Sequence, residues 1–381
     1  MENPKIRFKG FTKDWEQRKF GSLLEETRNK TIFEDEDTLL SCAIDGMYLN
    51  SELFSHFRGS SNIGYLKVKK NDLILSAQNL HLGNCNVNLR FEHGIISPAY
   101  KVYELVGCNP LFMQAWVKKD STKDFFLKSS TEGASVCRKN IVWEELYKQE
   151  LPVPSIEEQT KVGEYFYSLD HLITLHQRKC EQTKNLKKYM LQKMFPQNGA
   201  KVPEIRFNGF THDWEQRKLG DDLVSIHTGT NLLGSITNTG MPLIKMGNIQ
   251  RGYFDTSKVE FLAENEQPDK ADIVNYGDFF FNTRNTLELV GKGATWMKNS
   301  GEYAFNSNIA RFELRNLDTI FFNYLYNTDY MTKQIHARAM GTTSVAAIYP
   351  RTLDSVEYLA PCMKEQQKIG AYFKQLDHLI T

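Results

Sequence analysis

Long apolar runs, paired cysteines and a signal-peptide core are all missing from this sequence. No run approaches the roughly 18 consecutive apolar residues of a membrane-spanning helix, so we predict no membrane span. The six cysteines are scattered without a C-x-x-C pair, which argues against a zinc site and for free thiols in a reducing compartment. The opening residues MENPKIRFKG lack an apolar signal-peptide core. We therefore expect a cytoplasmic protein.

A surplus of charge of either sign is missing as well. Lys and Arg number 47 against 46 Asp and Glu, which leaves a net charge of +1 at pH 7. This balance argues against a protein that coats nucleic acid by bulk electrostatics. It leaves open a local basic face, or a subunit whose partners supply some of the phosphate contacts.

Signatures of nucleotide and hydrolase sites are also absent. The stretch GTNLLGSI has the two glycines of a phosphate-binding loop but not its lysine, and GKGATW lacks the third glycine of a dinucleotide fingerprint. No H-E-x-x-H or G-x-S-x-G occurs. His171 and His378 each follow an aspartate, but the pair repeats on a predicted helix, so we interpret both as surface or interface residues. We predict no catalytic residue, no metal site and no cofactor in this chain.

What the sequence does contain is a long-range repeat. Lys5–Gly21 matches Glu204–Gly220 at 13 of 17 positions, and Glu158–Thr174 matches Glu365–Thr381 at 12 of 17. The offsets of 199 and 207 residues are far above the roughly 20–50 residues of a solenoid repeat. A chain of 381 residues, 41% hydrophobic and 24% charged, has room for two cores. We predict a duplicated unit in which a domain is followed by a helix.

The closing phrase of the first half predicts a long helix. Pro152 and Pro154 prevent an earlier start, and Ser155 is a suitable N-cap. From Glu157 to Met194 the helix would reach roughly 57 Å, which suits a spacer between domains. Its residues are spaced by four and three positions as in a coiled-coil seam, apolar at first and weaker toward the end. The seam runs through Val162, Phe166, Leu169, Ile173, His176, Cys180 and Thr183.

Between the shared phrases the halves diverge, but a skeleton is common to both. KKNDLILSAQN (Lys69–Asn79) lies where NYGDFFFNTRN (Asn275–Asn285) lies, and both are typical of a turn followed by a buried strand. Each half continues with an alternating strand, a turn, an aromatic helix and a loop of Gly, Ser and Thr. Strands and helices therefore mix in both halves, and we predict an α/β (α+β) fold.

Two phrases, repeated in the same order, resemble the specificity subunit of type I restriction–modification systems. They are the opening phrase RFxGFTxDWEQRKLG and the closing phrase LPVPSIEEQTKVGEYFYSLDHLI. The resemblance covers essentially the whole chain. It implies two similar target-recognition domains, at 1–150 and 199–355. It also implies two long conserved helices, at 151–198 and 356–381, which pair as an antiparallel coiled-coil spacer. The residues that would anchor the two domain entries are Ile6, Phe8, Phe11 and Trp15, and Ile205, Phe207, Phe210 and Trp214.

By the same resemblance, each domain reads one half of a split, asymmetric site in double-stranded DNA. The family subunit is non-catalytic and recruits two methyltransferase subunits, which methylate an adenine in each half-site using S-adenosylmethionine. Two restriction–translocase subunits add cleavage. The resemblance therefore implies S-adenosylmethionine, ATP and magnesium on partner subunits, and no membrane partner.

Side chains that could read bases are expected on the polar loops between the shared phrases. Arg and Lys suit guanine in the major groove, whereas Asn and Gln suit adenine. The candidates of the first half are Gln78, Asn79, His81, Asn84, Asn86, Arg138, Lys139 and Asn140. Those of the second half are Lys245, Asn248, Gln250, Arg251, Arg284, Asn285, Thr342, Thr343 and Ser344, with Arg338 and Arg351 suited to phosphate contact.

The second closing helix departs from the first. The first continues for 21 residues beyond the matching phrase, from Leu175 to Phe195, whereas the chain stops inside the second. We therefore expect the second helix to be truncated to about half its partner's length. Three alternatives stay open: a specificity subunit for a fused restriction–methylation polypeptide, a nuclease with an unrecognised site, and a coiled-coil adaptor without DNA contact. The halves share no common set of acidic loop residues, which argues against the nuclease.

Overall fold

The computed structural model describes residues 4–55, 61–135, 138–197 and 199–380, without the side chains of 132–135, 138 and 350. The chain divides into two compact units, Met1–His176 and Gln177–Thr381. The boundary between them falls inside a helix that runs from Ile156 to Lys193. Within the described ranges, no helix combines the length and apolar character needed to cross a bilayer.

The first unit mixes short strands with short helices ahead of the long helix. Its strands are β1 (Glu16–Lys19), β2 (Leu24–Thr27), β3 (Leu40–Ala43), β4 (Gly46–Leu49), β5 (Leu66–Lys69), β6 (Leu73–Ser76), β7 (Cys85–Val87), β8 (His93–Ile96), β9 (Tyr100–Leu105), β10 (Ser130–Ser135), β11 (Arg138–Ile141) and β12 (Glu150–Val153). Its helices are α1 (Asn50–Leu53), α2 (Pro110–Val117), α3 (Asp120–Lys128), α4 (Trp143–Lys148) and the long α5 (Ile156–Lys193).

The second unit, after the end of α5, again mixes short strands with short helices. Its strands are β13 (Glu215–Lys218), β14 (Leu223–Thr228), β15 (Pro242–Ile244), β16 (Glu260–Phe261), β17 (Phe279–Asn282), β18 (Arg284–Asn285), β19 (Gly293–Thr295), β20 (Ala304–Phe305), β21 (Ile309–Leu314), β22 (Met340–Gly341), β23 (Ala346–Ala347) and β24 (Glu357–Ala360). Its helices are α6 (Leu219–Asp222), α7 (Thr319–Tyr326), α8 (Asp329–His336) and α9 (Met363–Ile380). The mixed helix and strand fold predicted from the sequence is confirmed.

Each unit is built on a four-stranded antiparallel sheet. The strand order is β2-β9-β6-β7 in the first unit and β14-β21-β17-β19 in the second. The inner strands β6 and β17 are buried at every residue, as predicted. Leu73 and Leu75 join one hydrophobic cluster and Ile74 joins another, because successive side chains of a strand point to opposite faces. The three phenylalanines of β17 divide between two clusters in the same way.

A tight turn leads into both inner strands. Asn71 has φ 73° and Gly277 has φ 90°, so each turn needs a residue that tolerates the left-handed region. The next residue is an aspartate that accepts a backbone hydrogen bond, Asp72 from Lys69 at 2.7 Å and Asp278 from Asn275 at 2.9 Å. Burial raises the pKa of Asp72 to about 6 and raises that of Asp278. The two halves therefore share the turn chemistry as well as the strand.

The repeated opening phrase forms an arm that is clamped to the start of the following helix. Arg7 donates from Nε and Nη2 to the Glu158 carboxylate, at 2.9 and 2.7 Å. Arg206 makes the same two bonds with Glu365, at 2.7 and 2.8 Å. The strand at the end of each arm pairs antiparallel with the strand just before the helix, β1 with β12 and β13 with β24. The phrase is repeated because it closes each unit onto its own helix.

A glutamine of the closing phrase holds the start of a second helix. Gln159 Oε1 accepts the backbone N–H of Asn109 at 2.7 Å, and Asn109 caps α2. Gln366 Oε1 accepts the backbone N–H of Asp318 at 2.9 Å, and Asp318 caps α7. The closing phrase thus fixes the aromatic helix that covers the core of each unit.

A glycine of the closing phrase lets these two helices touch. A Cβ at Gly163 would lie 2.6 Å from the backbone nitrogen of Phe112, and one at Gly370 would lie 2.9 Å from that of Phe321. Both distances are too short for a side chain, so α2 and α7 approach the long helices at backbone contact.

In the second unit, α9 packs against the last part of α5. The rings of Phe195 and Phe373 stack with centroids 6.0 Å apart. Lys187 forms an ion pair with Asp377, and the Cys180 thiol donates to the Ile380 carbonyl at 3.4 Å. Positions rise along α5 as they fall along α9, so the two segments run antiparallel where they touch.

The apolar residues of the two arms do not all act as anchors. Trp214 is buried, and Ile205 packs against the same core. Ile6, at the position equivalent to Ile205, is 91% exposed, so the prediction that it anchors the first arm was wrong. The Ile205 amide donates to the carbonyl of Lys193 at the end of α5, and Ile6 follows no such helix in the described chain.

Candidate nucleic-acid interface

In each unit the chain continues from the buried inner strand, β6 or β17, past the core into a polar dipeptide. Gln78 lies two residues beyond the end of β6, and Arg284 lies two residues beyond the end of β17. Both side chains are exposed, and the asparagine that follows each, Asn79 or Asn285, is half-buried. The two dipeptides therefore occupy the same edge of the shared fold.

A hairpin flanks the dipeptide of the first unit. β10 and β11 pair antiparallel, and the Lys139 amide donates to the Gln78 carbonyl at 3.2 Å. Lys139 is half-buried and Asn140 is exposed. The side chain of Arg138 lies outside the described part of the structure. The structure thus brings Gln78, Asn79, Lys139 and Asn140 together. The sequence alone did not predict this proximity.

The second unit has the equivalent arrangement. β18 pairs with β23, which pairs with β22, and Arg284 stands opposite Ala347. Thr342, Thr343 and Ser344 form the exposed tip of this hairpin, and the Leu287 amide donates to the Thr343 carbonyl at 3.1 Å. Among the residues that the structure describes, none accepts a hydrogen bond from the Arg284 guanidinium.

Two of the candidate asparagines lie in the core. Asn86 is fully buried, and its amide donates to the Ala43 carbonyl at 2.6 Å. Asn248 is also buried, and its amide donates to the carbonyls of Asp255 and Lys258 at 3.0 and 2.8 Å. Both side chains hold loops in place from within the core, so neither belongs to the surface of its unit and the prediction that they read bases was wrong.

Several other candidates are engaged inside their own unit. Lys245 forms an ion pair with Glu260, and Gln250 accepts from Lys292 at 2.7 Å. Arg338 donates to the carbonyls of Gln334, Thr352 and Ser355 at 2.7, 2.8 and 2.9 Å, which ties α8 to the segment before β24. These contacts within the unit account for the positions of the three side chains without any contact to DNA.

The two histidines at the candidate edges are biased toward their neutral forms. His81 is buried, and burial together with the charge of Lys139 lowers its pKa. His336 has its pKa lowered by burial and by Arg251, which approaches its Nε2 at 3.0 Å. A neutral imidazole can accept that bond from the guanidinium. Asn84 is half-buried near His81, and Arg351 is exposed beyond the second hairpin.

Exposed apolar side chains lie on and near the hairpin beside Arg284, and no sequence pattern predicted them. Met340 is 60% exposed and Val345 is 68% exposed, on the two arms of the hairpin beside Arg284. Leu287 and Tyr349 are exposed nearby. No linear pattern marks these residues, because an aliphatic residue in a short strand usually indicates core. Their exposure gives the edge an apolar rim around one arginine.

Across the described ranges, no group of three or more His, Cys, Asp or Glu side chains is arranged to hold a metal ion. The buried cysteines Cys42, Cys85 and Cys108 have their pKa raised by burial, so they are poor nucleophiles at neutral pH.

The second half of the chain and the chain as a whole are both similar to known proteins. Residues 211–381 match the family model described as the type I restriction modification DNA specificity domain. The type I restriction enzyme MjaVIII specificity subunit of Methanocaldococcus jannaschii is 23% identical, over 96% of this chain and 87% of the relative. The putative MjaX specificity subunit of the same organism is 23% identical, over 86% of this chain and 72% of the relative.

A solved structure shares the fold. The crystal structure of the type I restriction–modification system S subunit from M. genitalium matches with a TM-score of 0.59 at 12% identity, covering 100% of this chain and 93% of that one. The family match falls on the second half of a chain whose first half repeats its opening and closing phrases, clamp and inner sheet. The second half of the chain thus carries a type I restriction modification DNA specificity domain.

Proposed function

We propose that this chain is the DNA-recognition subunit of a type I restriction–modification complex, and that each unit reads one half of a bipartite, asymmetric site. The observation that carries the proposal is the combination of a shared scaffold and a varied edge. The Arg–Glu clamp, the inner sheet and the helix contacts repeat in both units. The side chains at the exposed edge differ, Gln78 in one unit and Arg284 in the other.

The shape of the edge suits the major groove of DNA. That groove admits a two-stranded β-ribbon, and its base edges offer a distinct donor and acceptor pattern for each base pair. Each unit has a short hairpin beside an exposed planar side chain. With a net charge of +1, the chain relies on a local surface and on partner subunits for phosphate contacts.

The rest of the reaction belongs to partner proteins in this proposal. Two methyltransferase subunits supply S-adenosylmethionine chemistry on a flipped adenine in each half-site. Two restriction–translocase subunits supply ATP-driven cleavage with magnesium. The chain itself contributes recognition and assembly, in the cytoplasm where the DNA is found, and carries out no chemical step.

The proposal is tested by sequencing modified bases in DNA from cells that express this chain with its cognate methyltransferase subunit. We expect N6-methyladenine at one split motif with a fixed gap, because two rigid readers on one chain define two half-sites. Cells with the methyltransferase subunit alone are the control and should lack the motif. A complex that assembles but methylates no split motif would contradict the proposal.

A further inference from the structure

Positions 78 and 284 are equivalent in three independent respects. Their surrounding sequences align at an offset of 206 residues, KKNDLILSAQN with NYGDFFFNTRN. The burial pattern along both is the same, with four buried residues, one half-buried, the exposed side chain and then a half-buried asparagine. The backbone at both positions pairs with the second strand of the flanking hairpin. The fold therefore presents one side chain in the same way twice.

The backbone at both positions is firmly held. In the first unit, the Ser76 hydroxyl accepts from the amides of Gln78 and Asn79, at 3.4 and 3.2 Å. In the second, the Ile348 amide donates to the Thr283 carbonyl at 2.9 Å, just before Arg284. A side chain on a fixed strand is aimed with less loss of entropy than one on a free loop. These positions are therefore built for directional contacts.

The chemistry of the two side chains matches two different bases. A glutamine amide offers one donor side and one acceptor, which complement N7 and N6 of adenine. An arginine fork offers parallel donors, which complement O6 and N7 of guanine. The difference between these two side chains is therefore sufficient to give the two units different base preferences.

The surroundings of Arg284 make an unmet hydrogen bond costly. The exposed Met340 and Val345 lie on the adjoining hairpin and would be covered when DNA docks. A guanidinium desolvated without an acceptor is penalised more than one that stays in water. The neighbouring Arg251 already meets His336, and Arg338 is bound to backbone carbonyls. Arg284 is therefore the arginine of this edge that is suited to reading a base.

On this basis we infer that Gln78 and Arg284 are the equivalent specificity-determining residues of the two units. Gln78 reads an adenine in the first half-site, and Arg284 reads a guanine in the second. This inference rests on the proposed function. It goes further because it assigns one base to one side chain in each unit and makes the two positions interchangeable.

The test exchanges the two side chains in the assembled complex. Gln78→Arg and Arg284→Gln are expressed separately with the cognate methyltransferase subunit, and the motifs are determined by modified-base sequencing. We expect Arg284→Gln to replace one guanine by adenine in the second half-site and to leave the first unchanged. Gln78→Arg should replace one adenine by guanine in the first. The preference at that position should change by about 5- to 150-fold, the range of one bidentate pair.

A matched control separates readout from general damage. Arg315→Gln makes the same chemical change at the opposite end of the same sheet, where Arg315 binds the Asp221 carbonyl at 2.9 Å. Its motif should equal that of the unmodified chain. If an exchange variant methylates nothing, its complex is selected on a randomised DNA duplex library, where the same single-base change is expected.

The outcomes distinguish this inference from the proposed function. An unmodified chain without a split motif contradicts the proposed function itself. If the unmodified chain gives a motif that both exchange variants reproduce, by sequencing or by library selection, the assignment of Gln78 and Arg284 is overturned. A change spread over both half-sites overturns it too, since each residue belongs to one unit.

Discussion

At the scale of single residues, the clamp between the arm and the helix is the most informative contact. The Glu365 side chain is 1% exposed and that of Arg206 is 15% exposed, so the carboxylate depends on the guanidinium for its hydrogen bonds. The bond to Glu365 in turn raises the pKa of Arg206. The same pair, Arg7 with Glu158, closes the first unit. The clamp thus joins residues far apart in the chain, 151 positions for Arg7 and Glu158 and 159 for Arg206 and Glu365.

We expect Arg206→Met to destabilise the second unit by about 3 kcal/mol, at the low end for breaking a buried ion pair because Arg206 keeps some exposure. The cause is the carboxylate of Glu365, which stays buried without its partner. Urea-induced unfolding followed by tryptophan fluorescence measures the change, since Trp214 lies on the same arm.

Lys218→Met is the matched control for the clamp. Lys218 is an exposed cation on the strand at the end of the same arm, and its loss should cost less than about 0.5 kcal/mol. An Arg206→Met variant as stable as this control would show that the clamp does not hold the arm.

At the scale of elements, the two closing helices carry the same phrase in different surroundings. Phe373 of α9 is fully buried against Phe195 and Tyr324. Phe166, the equivalent residue of α5, is 47% exposed. One apolar seam is therefore covered within its unit, and the other is open in this chain. The two phrases match at 12 of 17 positions, including this phenylalanine, so we attribute the difference in exposure to the elements that pack on each helix.

This difference predicts unequal costs for one substitution. Phe373→Ala should lower the free energy of unfolding by about 3–5 kcal/mol, as expected when a buried phenylalanine leaves a cavity. Phe166→Ala, its own matched control, should cost below about 1 kcal/mol because that ring already contacts water. Denaturant unfolding of the isolated chain, followed by circular dichroism, compares the two. Equal losses would contradict the packing described for α9.

At the scale of the whole molecule, the duplication separates scaffold from readout. In each unit the two terminal strands form a ladder that closes the domain, with Lys19 paired to Glu150 and Lys218 paired to Glu357. The residues between these pairs form the body of one unit, and the arm and the clamp of that unit lie outside the span that the ladder closes. These ladders are therefore suitable junctions for exchanging the segment between the paired strands while the arm, the clamp and the helices are kept.

We expect the replacement of residues 20–149 by the matching segment of another specificity subunit to change the first half-site only. The second half-site and the gap should stay, because Arg7, β1, β12 and α5 are retained. Modified-base sequencing of DNA methylated by the assembled complex gives both half-sites and the gap in one experiment. The reciprocal exchange of residues 219–356 is the control and should change the second half-site alone. A new gap, or changes in both half-sites from one exchange, would contradict independent readers.

The site was predictable only in part. The polar loops predicted from the sequence included Gln78 and Arg284 among many candidates, and the exposure of both follows a buried strand, which is a local pattern. Asn86 and Asn248 come from equally polar stretches, yet both lie in the core. Their amides are satisfied by carbonyls that are distant or turned inward, and no local pattern reports such partners.

The sequence by itself determined the duplication, the long helix, the buried inner strands and the resemblance to type I specificity subunits, because each follows from local periodicity or from repeated phrases. Only the tertiary structure decided which polar side chains reach the surface and which arginines are already bound. It also decided that Ile6 and Phe166 are exposed while Ile205 and Phe373 are packed. The physical reason is that burial and hydrogen bonding depend on contacts between segments far apart in the chain, whereas propensity and pattern act within one segment.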